Sequence, residues 1–183
     1  MSAGSRVHRY TASCAWRGST AAGYDAYDRR HRAASPPAPD ALALSSDPAF
    51  RGDPALLNPE QLLVLAAASC QLLSFLAVAA RARIDVVDYQ DDAEGEMPEA
   101  DPPMRITRIR LRPRITIRGQ ADDARMHHLV EVAHRECFIA NSLNTEVVIE
   151  PGELRNALLA ALRLASARRS QPPGPAGYHG ISP

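Results

Sequence analysis

The sequence predicts an α+β fold, and three features predict it. Gln61 to Ala80 is a run of 20 residues without a charge, long enough for an extended helix. Met104 to Arg118 alternates strongly. Arg108, Arg110, Arg112 and Arg114 fall on one side, with Ile109, Leu111, Ile115 and Ile117 on the other, the period of a strand. Met126, Leu129, Val130, Ala133 and Cys137 recur at spacings of three to four, the period of a second helix with one apolar face. Strands with two long helices set between them favour α+β.

The elements follow in order. Residues 6–17 and 24–32 read as two strands joined by a Gly18–Gly23 turn, with Cys14 as a strand core residue and Trp16 and Tyr24 as core or interface. Ser35-Pro36-Pro37-Ala38-Pro39 is a loop, Leu42-Ala43-Leu44 a short strand, and 46–57 irregular. Asn58 can then cap a helix, Pro59 suits its first turn and Glu60 complements its positive end, so the first long helix runs from there to about Arg83. Ile84–Met97 carries six acids and is separated by a Pro-rich turn from the arginine strand. An antiparallel hairpin sets acids opposite arginines, which makes that face self-neutralised rather than a nucleic-acid stripe. Asp122 or Asp123 caps the second helix, and Thr145–Glu150 is a last strand. The expected organisation is one domain over 1–150, an appended amphipathic helix over Pro151–Arg169 and a disordered tail over 170–183.

Composition narrows the function. A chain of 183 residues, 45% hydrophobic, can bury a core, and a net charge of zero argues against a polyanionic partner. All 21 basic residues are arginine, spread along the chain as coding bias would spread them. Three distant cysteines are not a secreted disulfide framework. The N-terminus has no apolar signal region, which points to a cytoplasmic protein. The 61–80 run is long enough to span a membrane. Six alanines and the polar Gln61, Ser69, Cys70, Gln71 and Ser74 dilute it, so a core helix without a membrane is expected. A single chain of this size has trouble wrapping such a helix; two copies packed together do it better.

The chemistry centres on sulfur. Cys70 sits in the middle of the uncharged run, and Cys137 on the apolar stripe of the second helix. A thiol in such surroundings is inert unless a cation favours its thiolate. A buried arginine needs a carboxylate to hold its planar fork, and Glu60 is the candidate. Glu60 and Cys70 are ten residues apart on one helix, about 15 Å along its axis and not on one face. Glu60 is therefore expected to serve the Cys70 of another subunit, unless the helix breaks. His127, Glu131 and His134 share one helix face, but no fourth ligand converges, so a solvated face is expected rather than a metal site.

Several strings together resemble the OsmC/Ohr family of osmotically inducible and organic hydroperoxide resistance proteins. They are Phe50-Arg51-Gly52-Asp53-Pro54, Asn58-Pro59-Glu60-Gln61-Leu62-Leu63 and Ala67-Ala68-Ser69-Cys70, then His134 to Ser142 around Cys137. Tyr27-Asp28-Arg29-Arg30-His31 is similar to the family's Tyr-x-Arg-x-His string. The likeness spans about residues 7–150.

The resemblance implies an intertwined homodimer, with antiparallel sheets wrapped around two central helices. It implies a thiol peroxidase in which Cys70 is the peroxidatic and Cys137 the resolving cysteine, Glu60 the clamp carboxylate and Arg29 the activating arginine. Arg30 and Arg51 remain rivals for that last role. It implies an organic hydroperoxide substrate, favoured by apolar residues such as Leu65, Leu73, Phe75 and Phe138, and an external dithiol reductant such as a lipoyl group. No cofactor or metal is required. Two other readings stay open: a fold relative that binds a small hydrophobic ligand, and a dithiol–disulfide exchange protein. His31 either supports the site or is an exposed strand histidine.

Overall fold

The computed structural model describes residues 6–150 and the backbone of Leu154–Asn156. The chain divides into two compact units, Met1–Ala66 and Ala67–Pro183.

In the first unit β1 (Ser13–Ala15), β2 (His31–Ala34) and β3 (Ala41–Leu44) form an antiparallel sheet with β2 in the middle. The two expected N-terminal strands are thus much shorter than 6–17 and 24–32. Residues 24–30 are not strand because their carbonyls and rings fold around the Arg29 side chain, which a flat ladder cannot do. Cys14 is exposed rather than core. Beyond β3, Asp47 caps a short 3-10 turn over Pro48–Phe50 by accepting the Ala49 N–H at 2.8 Å. Arg51 turns the chain back with φ of 65°, and at Gly52 an added Cβ would lie 1.6 Å from the Ser46 carbonyl oxygen, so only glycine fits.

The helix α1 (Pro59–Arg81) opens on a reciprocal cap. The Asn58 side-chain oxygen accepts the Gln61 N–H at 2.8 Å, and the Gln61 side-chain oxygen accepts the Asn58 N–H at 3.0 Å. Asn58 also donates to Asp47 at 3.2 Å, which ties the helix start to the preceding turn.

The second unit holds the rest of α1, followed by β4 (Asp85–Asp91), β5 (Glu94–Glu96), β6 (Arg108–Leu111) and β7 (Pro113–Arg118). Then come α2 (Asp123–Glu136), α3 (Phe138–Ser142), β8 (Glu146–Ile149) and β9 (Leu154–Asn156). The sheet orders are β4-β7-β9 and β5-β6-β8. The expected acid–arginine pairing is present, broken into two ladders at Arg112. Arg118 meets Asp85 at 2.8 Å and Arg112 meets Glu94 at 2.9 Å, while Arg114 pairs with Asp92 and Arg110 with Glu96. Glu146 and Glu150 add carboxylates from the other side, reaching Arg108 at 2.6 Å and Arg112 at 2.8 Å. The arginine pairing lowers the pKa of exposed Asp92 and Glu94.

β4 and β5 pair antiparallel with their partners, but β8 and β9 run parallel to β6 and β7. A parallel return needs a crossover, and α2 supplies it. Asp122 caps α2, accepting the Arg125 N–H at 2.6 Å. Core residues come from three elements: Phe75, Val78 and Ala79 of α1, Ile115 and Ile117 of β7, and Met126, Leu129 and Ala133 of α2. Three residues of the expected C-terminal helix, Leu154–Asn156, are strand; the remainder of 151–169 and the tail 170–183 lie outside the described residues.

The helix α1 is long and apolar enough to cross a membrane by length and composition, yet only 28% of its most apolar window is buried. Leu65, Leu73 and Leu76 are exposed on it, as is Phe138 on α3. Of the apolar residues expected to line a site, only Phe75 is enclosed within the chain.

Candidate functional site

Cys70 and Cys137 come together in the second unit. Cys70 projects half-buried from the middle of α1, and Cys137 is buried to 1% exposure at the joint between α2 and α3. Its extended backbone (φ −70°, ψ 109°) ends the first helix and starts the second, which breaks the helical run at the sulfur. The two thiols are close enough to influence one another. The Ile139 N–H, in the first turn of α3, donates to Cys70 Sγ at 3.4 Å. Burial pushes the Cys137 thiol up, the neighbouring Cys70 sulfur adds to this, and the Ala140 and Ile139 N–H groups oppose it. A resting pair with Cys137 protonated is therefore favoured.

The packing that sets this contact was partly invisible in sequence. Gln71 is buried to 1% exposure and donates to the Val130 carbonyl of α2 at 3.4 Å, while its side-chain oxygen has no partner among the described residues. Tyr89 of β4 lies against Phe75, ring centroids 5.8 Å apart, with its hydroxyl buried and without a partner among the described residues. Its pKa is driven up by burial, then by Asp91 and by Cys137, so the phenol is neutral and within electrostatic reach of the second thiol. A tyrosine in an otherwise acidic strand was the one sequence signal for it.

Arg29 belongs to the first unit and is only 7% exposed. Its guanidinium donates to the Tyr27 carbonyl at 2.8 Å and the Tyr24 carbonyl at 2.6 Å. The Tyr24 and Tyr27 rings cover it, at 4.7 and 4.1 Å from the guanidinium carbon. No carboxylate pairs with Arg29 among the described residues. Glu60 sits half-buried in the first turn of α1 and likewise makes no ion pair there. The structure thus does not join Arg29 to Glu60 within one chain. The rival arginines are neutralised locally: Arg30 by Asp53 at 3.0 Å and Arg51 by Asp25 at 3.1 Å. His31 directs Nδ1 to the Arg29 carbonyl at 3.0 Å and is half-buried on β2, so it is not an exposed strand histidine.

A cavity of about 360 Å³ lies beside α2, lined by Ile115, Val130, Val147 and Ile149 with His127, Glu131 and His134 at its wall. His134 departs from the expected solvated face: its Nδ1 is buried and burial lowers its pKa. No cluster able to hold a metal occurs among the described residues.

The chain matches the family model for OsmC-like protein over residues 52–151. Among curated proteins none matches it. Solved structures do. An OsmC-like protein of unknown function from Vibrio cholerae O1 biovar eltor is 28% identical, with a TM-score of 0.72 over 79% of this chain and 99% of that one. An organic hydroperoxide resistance protein from Elizabethkingia anophelis is 16% identical, with a TM-score of 0.61 over 81% of this chain and 98% of that one. An organic hydroperoxide resistance protein OsmC from Legionella pneumophila is 18% identical, with a TM-score of 0.59 over 82% and 99%. At those last two identities the likeness carries the fold alone. The family-model match covers more than half of the sequence and carries more: this chain belongs to the OsmC-like protein family.

Proposed function

We propose that the protein is a cysteine-based thiol peroxidase that reduces organic hydroperoxides to alcohols. The observation that carries this reading is the contact between the Cys70 and Cys137 thiols, on α1 and at the α2–α3 joint. Its chemistry follows from that contact. The Cys70 thiolate attacks the distal peroxide oxygen, the O–O bond breaks, and the alkoxide takes up a proton and leaves as alcohol. Cys70 is then a sulfenic acid. Cys137 attacks that sulfur through its thiolate, water leaves, and a Cys70–Cys137 disulfide forms. An external dithiol, a lipoyl group among them, restores both thiols by exchange and is itself oxidised to the disulfide.

Arg29 is the activating cation of this proposal. It is a buried charge with no carboxylate partner among the described residues, whereas Arg30 and Arg51 already have one, and a buried charge requires a counterion. In this reading a Cys70 thiolate supplied by a second copy fills that need, and Glu60 serves as the carboxylate that holds the guanidinium fork. The protein is accordingly read as a homodimer, in which the apolar face of α1 left bare by one chain is covered by another. The names of the Legionella and Elizabethkingia proteins agree with a hydroperoxide substrate.

The test is turnover of cumene hydroperoxide with dihydrolipoamide as reductant. Native protein should consume both, Cys70→Ser neither. Unreduced activity in Cys70→Ser refutes the proposal. The cavity beside α2 favours one other reading, a binder of small hydrophobic molecules, for which peroxide would leave all thiols intact while an apolar dye binds.

A further inference from the structure

The N-terminal sheet carries an arrangement that the thiol chemistry does not use. Register places Ala15, Arg32 and Ala43 side by side across β1, β2 and β3. The central arginine therefore has only a methyl group on each flank, which leaves open space around it. Arg17 and Arg30, just outside the ends of β1 and β2, border the same space. These side chains line an open hollow of about 500 Å³, bordered by Leu56 and the Trp16 indole.

The indole is a fixed wall. Its N–H donates to the Asp28 carbonyl at 2.7 Å, and it meets the Tyr27 ring edge-on at 6.2 Å between centroids. Gly18 makes room for it, since a Cβ there would lie 2.6 Å from the ring.

Charge balance at this cavity differs from that of the arginine strand. There, Arg108, Arg110, Arg112 and Arg114 each meet carboxylates. Here Arg30 has Asp53, but Arg17 and Arg32 have no carboxylate within ion-pair distance among the described residues. Two guanidiniums facing one open surface hollow beside a flat aromatic wall match an oxyanion that carries an apolar group.

We propose that this cavity binds a small organic oxyanion, a carboxylate or phosphate monoester with a flat apolar group, held by Arg17 and Arg32 and stacked on Trp16. The inference goes beyond the peroxidase reading and stands or falls separately from it, because its readout involves no peroxide.

Trp16 is the sole tryptophan of the chain, so its fluorescence reports the cavity directly. The full-length protein is titrated with benzoate and, separately, phenyl phosphate at constant ionic strength, with benzyl alcohol as the uncharged control. A saturable change with at least one anion and none with the alcohol is expected, and the responsive anion tells carboxylate from phosphate. Arg32→Gln and Arg17→Gln should each weaken binding by roughly tenfold. A response that is linear in ligand, or that the alcohol reproduces, overturns the proposal. If circular dichroism shows Arg32→Gln unfolded, Arg17→Gln alone decides, and native affinity in that variant also overturns it.

Discussion

In the proposed mechanism, the buried guanidinium of Arg29 is the group on which activation turns. Two tyrosine carbonyls and two tyrosine faces hold it, leaving donors of its five N–H groups for an anion. Replacement by alanine should lower peroxide turnover by about tenfold or more, since each pKa unit of thiolate stabilisation is worth about 1.4 kcal/mol. Arg30→Ala and Arg51→Ala should stay near native, because both arginines serve local carboxylates. Full activity in Arg29→Ala would transfer the role elsewhere. Cys137 gives a second expectation at this scale. Burial raises its pKa, so in a Cys70→Ser background its alkylation by iodoacetamide should rise only above the ordinary thiol value of about 8.5. The sign for stability runs the same way: as pH climbs past that value the unfolded chain loses the proton first, and the folded state loses stability. Alkylation with a midpoint below 8.5 would contradict the burial. Both cysteines and Glu60 were legible as residues in the sequence. The cradle of Arg29 was not, because the reading of 24–32 as a strand followed its alternation and could not foresee a side chain recruiting its own loop carbonyls.

Among the elements, α1 was read almost to the residue, from Asn58, Pro59 and an uncharged run whose apolar content left no other state. The arginine strand was clear in its two faces, but its division near Arg112 into β6 and β7, in different sheets, and the non-strand stretch 104–107 were not legible. What sequence could not supply was the parallel return of β8, which depends on the length of the α2 crossover rather than on any local pattern. The joint at Cys137 is a similar case: the periodic stripe placed it near a helix end, while the turn into α3 that aims the Ile139 N–H at Cys70 depends on tertiary packing. Phe75 holds α1 against β4, β7 and α2 with no exposed surface. Phe75→Ala should cost about 3–5 kcal/mol, seen as a lower urea midpoint with loss of the Tyr89 packing. A cost under about 1 kcal/mol would show that the core is not organised around that ring.

At the scale of the whole molecule, α1 is the unresolved surface of a single chain. A 23-residue apolar helix with Leu65, Leu73 and Leu76 exposed is not a stable end state in water. Sedimentation equilibrium should give twice the mass of one chain, and Leu73→Asp should shift the population toward single chains. It should also lower turnover, because Arg29 and Glu60 are proposed to act on a second copy. A native protein that sediments as one chain with full activity would remove the intersubunit site. The proposal of a second copy rests on a simple mismatch between the length of the apolar helix and the size of the domain available to bury it.

The most direct measurement is intact mass and free-thiol count after addition of one equivalent of cumene hydroperoxide. Two thiols should disappear within seconds, with a mass loss of two hydrogens, and a peptide map should show Cys70 joined to Cys137 while Cys14 stays free. Three free thiols and an unchanged mass would contradict the peroxidase outright.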